Sequence, residues 1–582
     1  MSTKDQLSWQ SDPGLEALTV QYANFLPELV IAITRPQGAD DKPTMKRLRD
    51  LFDQHHYHVV EIQISNLIEN FYPELNRVAS DSPLEKQSYD AYERKIKLMQ
   101  WGDQLRAGID TTVAAMLAVR YIAAHRKVHQ DEAREQQMGG VAFVVRNLMH
   151  PKEVALFRSL YKQRFFLIGV HEEHKDRLER LTKQFLRDGV EDAEAKANHI
   201  LQIDSGARPS EGRFSVGSLN VNDTFHQADL FVANPEKDAK VLERWIAQVF
   251  GNPFGTPTPE ELAMAFAYLS ARQSASLGRS VGSAIVSPDF NLLSIGWNDP
   301  AKAGGGLYRE GLHPDHRDHT NGEDPSDSRR LTALTQFLQS LLFSNWSSVD
   351  VEKLPPEPRK WLLKLRESVE PLVGIDRSIV KSLPAIRELA ASRLLNIIEF
   401  GRSVHAEMAA ITDAARRGIA IQGSHLYVTT FPCHECARNI VAAGITKVIF
   451  VEPYGKSLAT DLYADSIQFL TSPSTKVDGD RVVFVPYVGI SPKRFDDLFS
   501  NVERKYPLQK VATRPDLQEG TIVEWQISSS KLRSSIKGYV GERELIDPYF
   551  EIAKQMAEQS TLKHLSESLL TLRKGYEIGK TI

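Results

Sequence analysis

Ser403-Val404-His405-Ala406-Glu407 and, downstream, Pro432-Cys433-His434-Glu435-Cys436 decide how this chain is read. The 582 residues contain two cysteines, and both fall in the second stretch, with two residues between them. One imidazole and two thiolates supply three ligands of a tetrahedral zinc shell and leave the fourth position for water. A Cys-x-x-Cys alone also fits half of a structural zinc site or a redox pair. A structural site wants four protein ligands, and no third cysteine exists. A redox pair has no use for an upstream His-Ala-Glu. The surrounding pattern alternates: a helix over 404–417 stopped by Gly418, a strand over 426–429, a helix over 433–443 stopped by Gly444, and a strand over 447–451. Both ligand segments therefore open helices, where the dipole favours a thiolate.

Upstream, Thr258, Pro259 and Glu261 supply the cap, first-turn proline and capping-box acid of a helix. Leu262, Phe266 and Leu269 form its predicted core-facing stripe. Strands over 281–286 and 292–296 flank a turn at Ser287-Pro288-Asp289 and lead to Gly296-Trp297-Asn298-Asp299-Pro300. Asn298, with an amide that both donates and accepts, is a candidate for a sugar hydroxyl. Residues 304–400 form a long insertion, with helical stretches near 328–345 and 359–369. It carries His313, Asp315, His316, Asp318 and His319, read as a solvated loop or as a holder of a second cation. After the last strand, Tyr454 is placed to stack on a base or sugar, and Lys456 and Ser457 offer charge and a hydroxyl to phosphate.

The N-terminal half reads as an open, mostly parallel α/β sheet. Strands are expected over 28–33, 57–64, 141–145, 165–170 and 229–232, with one long helical stretch over 89–126 and a helix opened by His150-Pro151 with Glu153 in its first turn. The loop after the first strand, Thr34-Arg35-Pro36-Gln37-Gly38-Ala39-Asp40-Asp41-Lys42, stands where a phosphate-binding loop would. It lacks the second glycine of a Walker A and places Asp40 and Asp41 towards any phosphate, so ATP hydrolysis is not expected. Arg208 and Arg213 lie in a polar loop over 204–222 and are read as solvated. Turn residues over 250–257 mark a boundary.

Composition is that of an ordinary globular protein: 42% hydrophobic, 25% charged, net charge -4. This offers no bulk basic field for capturing nucleic acid. The opening residues lack the apolar core of a signal peptide, and the longest apolar runs are strand-sized, so a cytoplasmic protein with no membrane partner is expected.

The order H-x-E then P-C-x-x-C resembles the signature of zinc-dependent nucleobase deaminases. "VGSAIV", "GWN", "VHAEM" and "PCHEC", in this order, are similar to the zinc domain of the deoxycytidylate deaminase family. "GWNDPAKAGGG", "FGRSVHAEMAAI", "YVTTFPCHECARNIVAAGI", "EPYGKS", "HPKEVALFRSLY" and "RFFLIGV" resemble the bacterial anti-phage dCTP/dCMP deaminases. The resemblance implies an α/β chain in which an N-terminal P-loop kinase-like open parallel sheet precedes a cytidine-deaminase-like α/β/α domain with a long insertion. The expected division is a segment over 1–24, a degenerate P-loop kinase-like domain over 25–235, a linker over 236–258, a deaminase domain over 259–500 and a helical extension over 501–582. It implies conversion of dCTP and dCMP to the uracil nucleotides. His405, Cys433 and Cys436 hold one Zn2+ per chain, Glu407 moves protons, and Asn298 contacts the deoxy-sugar. Arg272, Arg279 and Lys456 are the candidates for phosphate, with Mg2+ accompanying a triphosphate. A homo-oligomer and a regulatory RNA or protein partner are the expected associations. The competing readings are a polynucleotide deaminase, which wants a basic, aromatic-rich groove, and a nucleotide sensor with a structural zinc.

Overall fold

The computed structural model describes residues 28–79, 89–135, 140–204, 220–233, 239–250, 252, 254–322, 401–452, 457–470 and 479–499, with isolated positions between 325 and 360. The expected 1–24 segment, the 501–582 extension, most of the helices near 328–345 and 359–369, and Arg208, Arg213, Tyr454 and Lys456 lie outside the described residues. The chain divides into two compact units. One comprises residues 1–197, 216–256 and 493–582, and the other comprises 198–215 and 257–492.

In the first unit, strand β1 (Leu29–Thr34) is buried along its whole length. It leads into helix α1 (Lys42–Gln54), strand β2 (Tyr57–Gln63) and helices α2 (Ala91–Gly108) and α3 (Val113–Glu135). Strand β3 (Gly140–Arg146), helix α4 (Pro151–Tyr161), strand β4 (Phe165–Val170), helix α5 (His174–Arg187), strand β5 (Leu230–Val232) and helix α6 (Ala239–Val249) follow. The strands run β5-β4-β1-β3-β2, all parallel, as continuous apolar strands covered on both faces should. The long helix expected over 89–126 is two helices at 95°. Gly108 ends the first. The Asp110 carboxylate then accepts from the backbone N–H and hydroxyl of Thr112, which restarts the chain. Residues 239–249, read as linker, are a packed element: Leu242, Trp245 and Ile246 are buried, and the Trp245 ring meets Phe166 edge-on at 5.4 Å. Glu153 is fully buried and accepts from Arg106 at 2.9 Å.

Strand order reverses at β1, the switch point at which open α/β sheets bind ligands. The loop there is engaged with its own protein. Asp41, 2% exposed, accepts two hydrogen bonds from Arg146 at 2.7 and 2.8 Å and lies 3.4 Å from Arg35. Burial pushes its carboxyl up, but the Arg146 bond and the charges of Arg35 and Arg146 outweigh this and hold it below the usual value. The Asp40 N–H donates to Glu172 at 2.8 Å, and Arg180 donates to Gly38 O at 2.7 Å. The acids expected to face a phosphate are therefore held in internal contacts, Asp41 by its carboxylate and Asp40 by its backbone.

In the second unit, helix α7 (Pro259–Ala271) is followed by strands β6 (Gly282–Val286), β7 (Leu292–Trp297), β8 (Asp299–Pro300) and β9 (Ser403–Val404). Next come helix α8 (Ala406–Arg417), strand β10 (His425–Thr430), helix α9 (His434–Ala442), and strands β11 (Lys447–Glu452), β12 (Ile467–Phe469) and β13 (Val482–Pro486). The main sheet runs β12-β13-β11-β10-β6-β7. It is parallel from β12 to β10 and antiparallel at the β10-β6 pair and the β6-β7 hairpin. Strands β8 and β9 form a separate antiparallel pair, with Asp299 opposite Val404.

Helix α7 corrects the sequence expectation. Leu262 and Leu269 are 48% and 66% exposed, while Ala263, Met264, Ala267 and Tyr268 face the core. The reason is the depth of contact: a Cβ at Gly282 would stand 2.1 Å from Ala267 O. Backbones this close admit only small residues at the point of contact, so the side of the helix that carries Ala263 and Ala267 meets the sheet and Leu262 and Leu269 turn outward.

Gly296 does the same for the helix that follows His405. A Cβ there would lie 2.1 Å from Ala406 O and 2.4 Å from Ala410 N. Gly296→Ala is expected to push α8 away from β7, costing on the order of 1–3 kcal/mol and lowering metal occupancy at His405. Thermal unfolding and metal analysis measure both, and a variant equal to wild type in both would contradict this packing.

Candidate active site and metal centre

His405 and Cys433 are the N-cap residues of α8 and α9, in extended conformation. Their carbonyls accept the first intrahelical bonds, from Ala409 N at 2.8 Å and Ala437 N at 2.9 Å. Cys436 lies in the first turn of α9. The two helix starts meet: Cys433 Sγ is 3.2 Å and Cys436 Sγ 3.4 Å from His405 Nδ1. All three donor atoms lie within 4.8 Å of one another. Tetrahedral zinc with ordinary Zn–S and Zn–N lengths separates sulfur from nitrogen by roughly 3.5 Å, so the donor set fits the ion in type and spacing.

The second unit braces this arrangement by hydroxyls. Ser283 Oγ donates to Ala406 O at 2.7 Å, and Ser294 Oγ to Ala410 O at 2.8 Å, which ties α8 to β6 and β7. Ser457 Oγ donates to Pro432 O at 2.9 Å, beside Cys433. The hydroxyl expected to meet phosphate therefore supports the cysteine turn instead.

Glu407 is 3% exposed on the first turn of α8 and within hydrogen-bond reach of Cys436. Burial first, and then the Cys433 charge, push its carboxyl up to about 6. A carboxyl tuned towards neutrality can both take and give a proton. The Cys433 thiol is held well below its usual value, first by its hydrogen bond with Cys436 and then by His405. His405 is raised, chiefly by its bond with Cys433. Cys436 is raised by its bond with Cys433 and by burial. Bound metal requires the imidazole neutral and both sulfurs as thiolates, so loading releases protons.

Asn298 stands at the end of β7, but its amide is already engaged. Its Oδ1 accepts from Val281 N at 2.7 Å, and its Nδ2 donates to Arg279 O at 2.9 Å. One amide hydrogen and one oxygen lone pair remain for a ligand. Arg279 is thus brought beside Asn298, whereas Arg272 is exposed at the C-cap of α7. The two aspartates of the histidine–aspartate cluster are engaged by arginines. Arg317 Nη2 donates to Asp315 at 2.7 Å, and Arg402 donates to Asp318 at 3.0 Å. Among the described residues, His405, Cys433 and Cys436 are the one group spaced to hold a metal ion. Sequence reasoning passed over Asp299, which is fully buried and paired across the ladder with the residue before His405.

Residues 257–452 match the family model described as the cytidine and deoxycytidylate deaminase zinc-binding region. Residues 257–452 are thus similar to a zinc-binding region found in cytidine and deoxycytidylate deaminases. Among curated relatives, the deoxycytidylate deaminase of Enterobacteria phage T2 is 46% identical over 54 residues, 9% of this chain and 29% of that protein. ComE operon protein 2 of Bacillus subtilis is 42% identical over 53 residues, 9% of this chain and 28% of that protein. The chain spans less than a third of the length of these relatives. A solved dCMP deaminase of the cyanophage S-TIM5 is similar at 16% identity, covering 40% of this chain and 99% of that one, with a TM-score of 0.19. No single described helix is long and apolar enough to cross a membrane.

Proposed function

We propose that the second unit is a zinc-dependent hydrolase that deaminates deoxycytidine nucleotides, dCMP and dCTP, to the uracil nucleotides. The observation that carries this reading is the buried Glu407 carboxyl beside the His405, Cys433 and Cys436 trio. A purely structural metal site has no need of an acid there. The deoxycytidylate deaminase names among the relatives and the quoted motifs support the choice of base and sugar.

His405, Cys433 and Cys436 would hold a zinc ion, which would supply the Lewis acidity that makes water a nucleophile at neutral pH. Glu407 takes the proton from the attacking water and gives it to N3 of cytosine as the new C4–O bond forms. It then takes the proton of the new C4 hydroxyl and gives it to the amine; the C4–N bond breaks, C4 becomes a carbonyl, and ammonia leaves. Asn298 uses its remaining amide hydrogen on the deoxy-sugar, and Arg279, Arg272 and Lys456 are the proposed phosphate contacts. A dCTP-consuming enzyme drains the pool on which a phage polymerase depends, and that defensive role is part of the proposal, as is a homo-oligomeric state.

Chromatography of products from the purified protein with dCMP, dCTP, CTP and a cytosine-containing single strand tests the substrate class. Uracil deoxynucleotides are expected from the first two. Conversion of the single strand alone would favour the polynucleotide reading, and no conversion of any would reject the enzyme reading. The first unit, with its internally engaged loop, is proposed as a kinase-like sheet without ATP turnover. Lys42→Ala is accordingly expected to leave the purified protein's deamination rate nearly unchanged, and a large fall would show that this loop acts on the reaction.

A further inference from the structure

The stretch that follows β7 does more than present Asn298. Its residues clasp the loop over 274–281 on one side and the strand leading to His405 on the other. Ser274 Oγ donates to Asn298 O at 2.8 Å, Asn298 N donates to Val281 O at 3.2 Å, and the Asn298 amide closes the two further bonds to Val281 and Arg279. Asp299 completes the clasp. Its Oδ2 accepts from Ala275 N at 3.1 Å, and its backbone pairs with Val404, one residue before the ligand. It is 1% exposed, and besides the Ala275 bond its carboxylate has the Trp297 indole as a hydrogen-bonding neighbour. Burial pushes the Asp299 carboxyl up, against the Ala275 bond, the Arg317 charge and the Trp297 bond. Burying a carboxylate is costly, and a small neutral residue would close a turn here more cheaply.

We propose that Asp299 is a positioning residue that fixes the 274–281 loop, and through it Arg279 and the Asn298 amide, at a set distance from the metal centre, so that the site selects a phosphorylated deoxycytidine over the bare nucleoside. This deepens, and rests on, the deaminase reading. The loop carries the chemistry such selection needs: Arg279 and Ser280 are exposed, and Arg279 O accepts from the Asn298 amide proposed to meet the sugar.

Steady-state kinetics of the zinc-loaded full chain with dCMP and with deoxycytidine test the proposal. Asp299→Ala should keep its zinc and raise KM for dCMP about tenfold, the worth of one hydrogen bond to a charged group, with kcat and the deoxycytidine parameters little changed. Asp299→Asn, which retains an acceptor for Ala275 N, should recover most of the loss. Ala275→Pro removes the donor instead and should reproduce the KM rise. Equal losses on both substrates with loss of zinc would mean a merely structural group and overturn the proposal, as would an unchanged KM in Asp299→Ala and Ala275→Pro. If the wild-type chain deaminates neither compound, the functional reading fails by itself. The clasp is then judged by hydrogen exchange at the Ala275 amide, which should quicken in Asp299→Ala; unchanged protection would overturn it.

Discussion

Glu407→Gln protein is expected to bind zinc as wild type does, to fold normally, and to lose deamination by about 10²–10⁴-fold or more, the contribution of a positioned proton carrier. The separation follows from the geometry. The three donor atoms that converge belong to His405, Cys433 and Cys436, and Glu407 is not among them. Glutamine fills the same buried volume and can still accept a hydrogen bond, but it cannot carry the proton. Metal analysis, thermal unfolding and ammonia release read the three properties apart. Loss of zinc together with activity would make Glu407 a ligand or a support, and full activity would remove it from the reaction.

Cys433→Ser is expected to lose zinc and activity together. Serine replaces a thiolate that is held far below its usual pKa by its bonds with Cys436 and His405 with a hydroxyl that stays protonated at neutral pH and ligates zinc poorly. Cys433 also sits at the helix start where Ser457 braces Pro432 O, so the turn itself should survive the change. A folded, zinc-free variant is the expected result. A Cys433→Ser protein that retains about one zinc per chain and deaminates normally would require a different ligand set.

The metal centre was legible because its residue types are scarce: two cysteines in 582 residues, with two residues between them, downstream of a His-Ala-Glu. The strands were legible for a similar reason, since buried parallel strands such as Leu29–Thr34 and Phe165–Val170 are continuous apolar runs. Helix α7 was misread because it is apolar on both sides. Periodicity identified Leu262, Phe266 and Leu269 as a stripe, but the close approach at Gly282 decides which side faces the sheet. The turn at 109–112 went unseen because apolar spacing of four persists across it, and the Asp110–Thr112 bonds that make it are local side-chain chemistry. Asp40 and Asp41 were read from their neighbours in sequence, whereas their contacts include Arg146 and Glu172, more than a hundred residues away. Asn298 and Ser457 were recognised as polar residues near the site, but which of their hydrogen bonds the backbone already uses is a fact of three dimensions. Asp299 has no sequence signal beyond its position between Asn298 and Pro300.

The central claim, that this chain joins zinc to a buried acid to remove the amine of a deoxycytidine nucleotide, is tested most directly by ammonia. Purified zinc-loaded protein incubated with dCMP or dCTP should release one ammonia for each uracil deoxynucleotide formed, and a metal chelator should abolish the release. No ammonia from either nucleotide, with the zinc site fully loaded and the chain folded, would contradict the account.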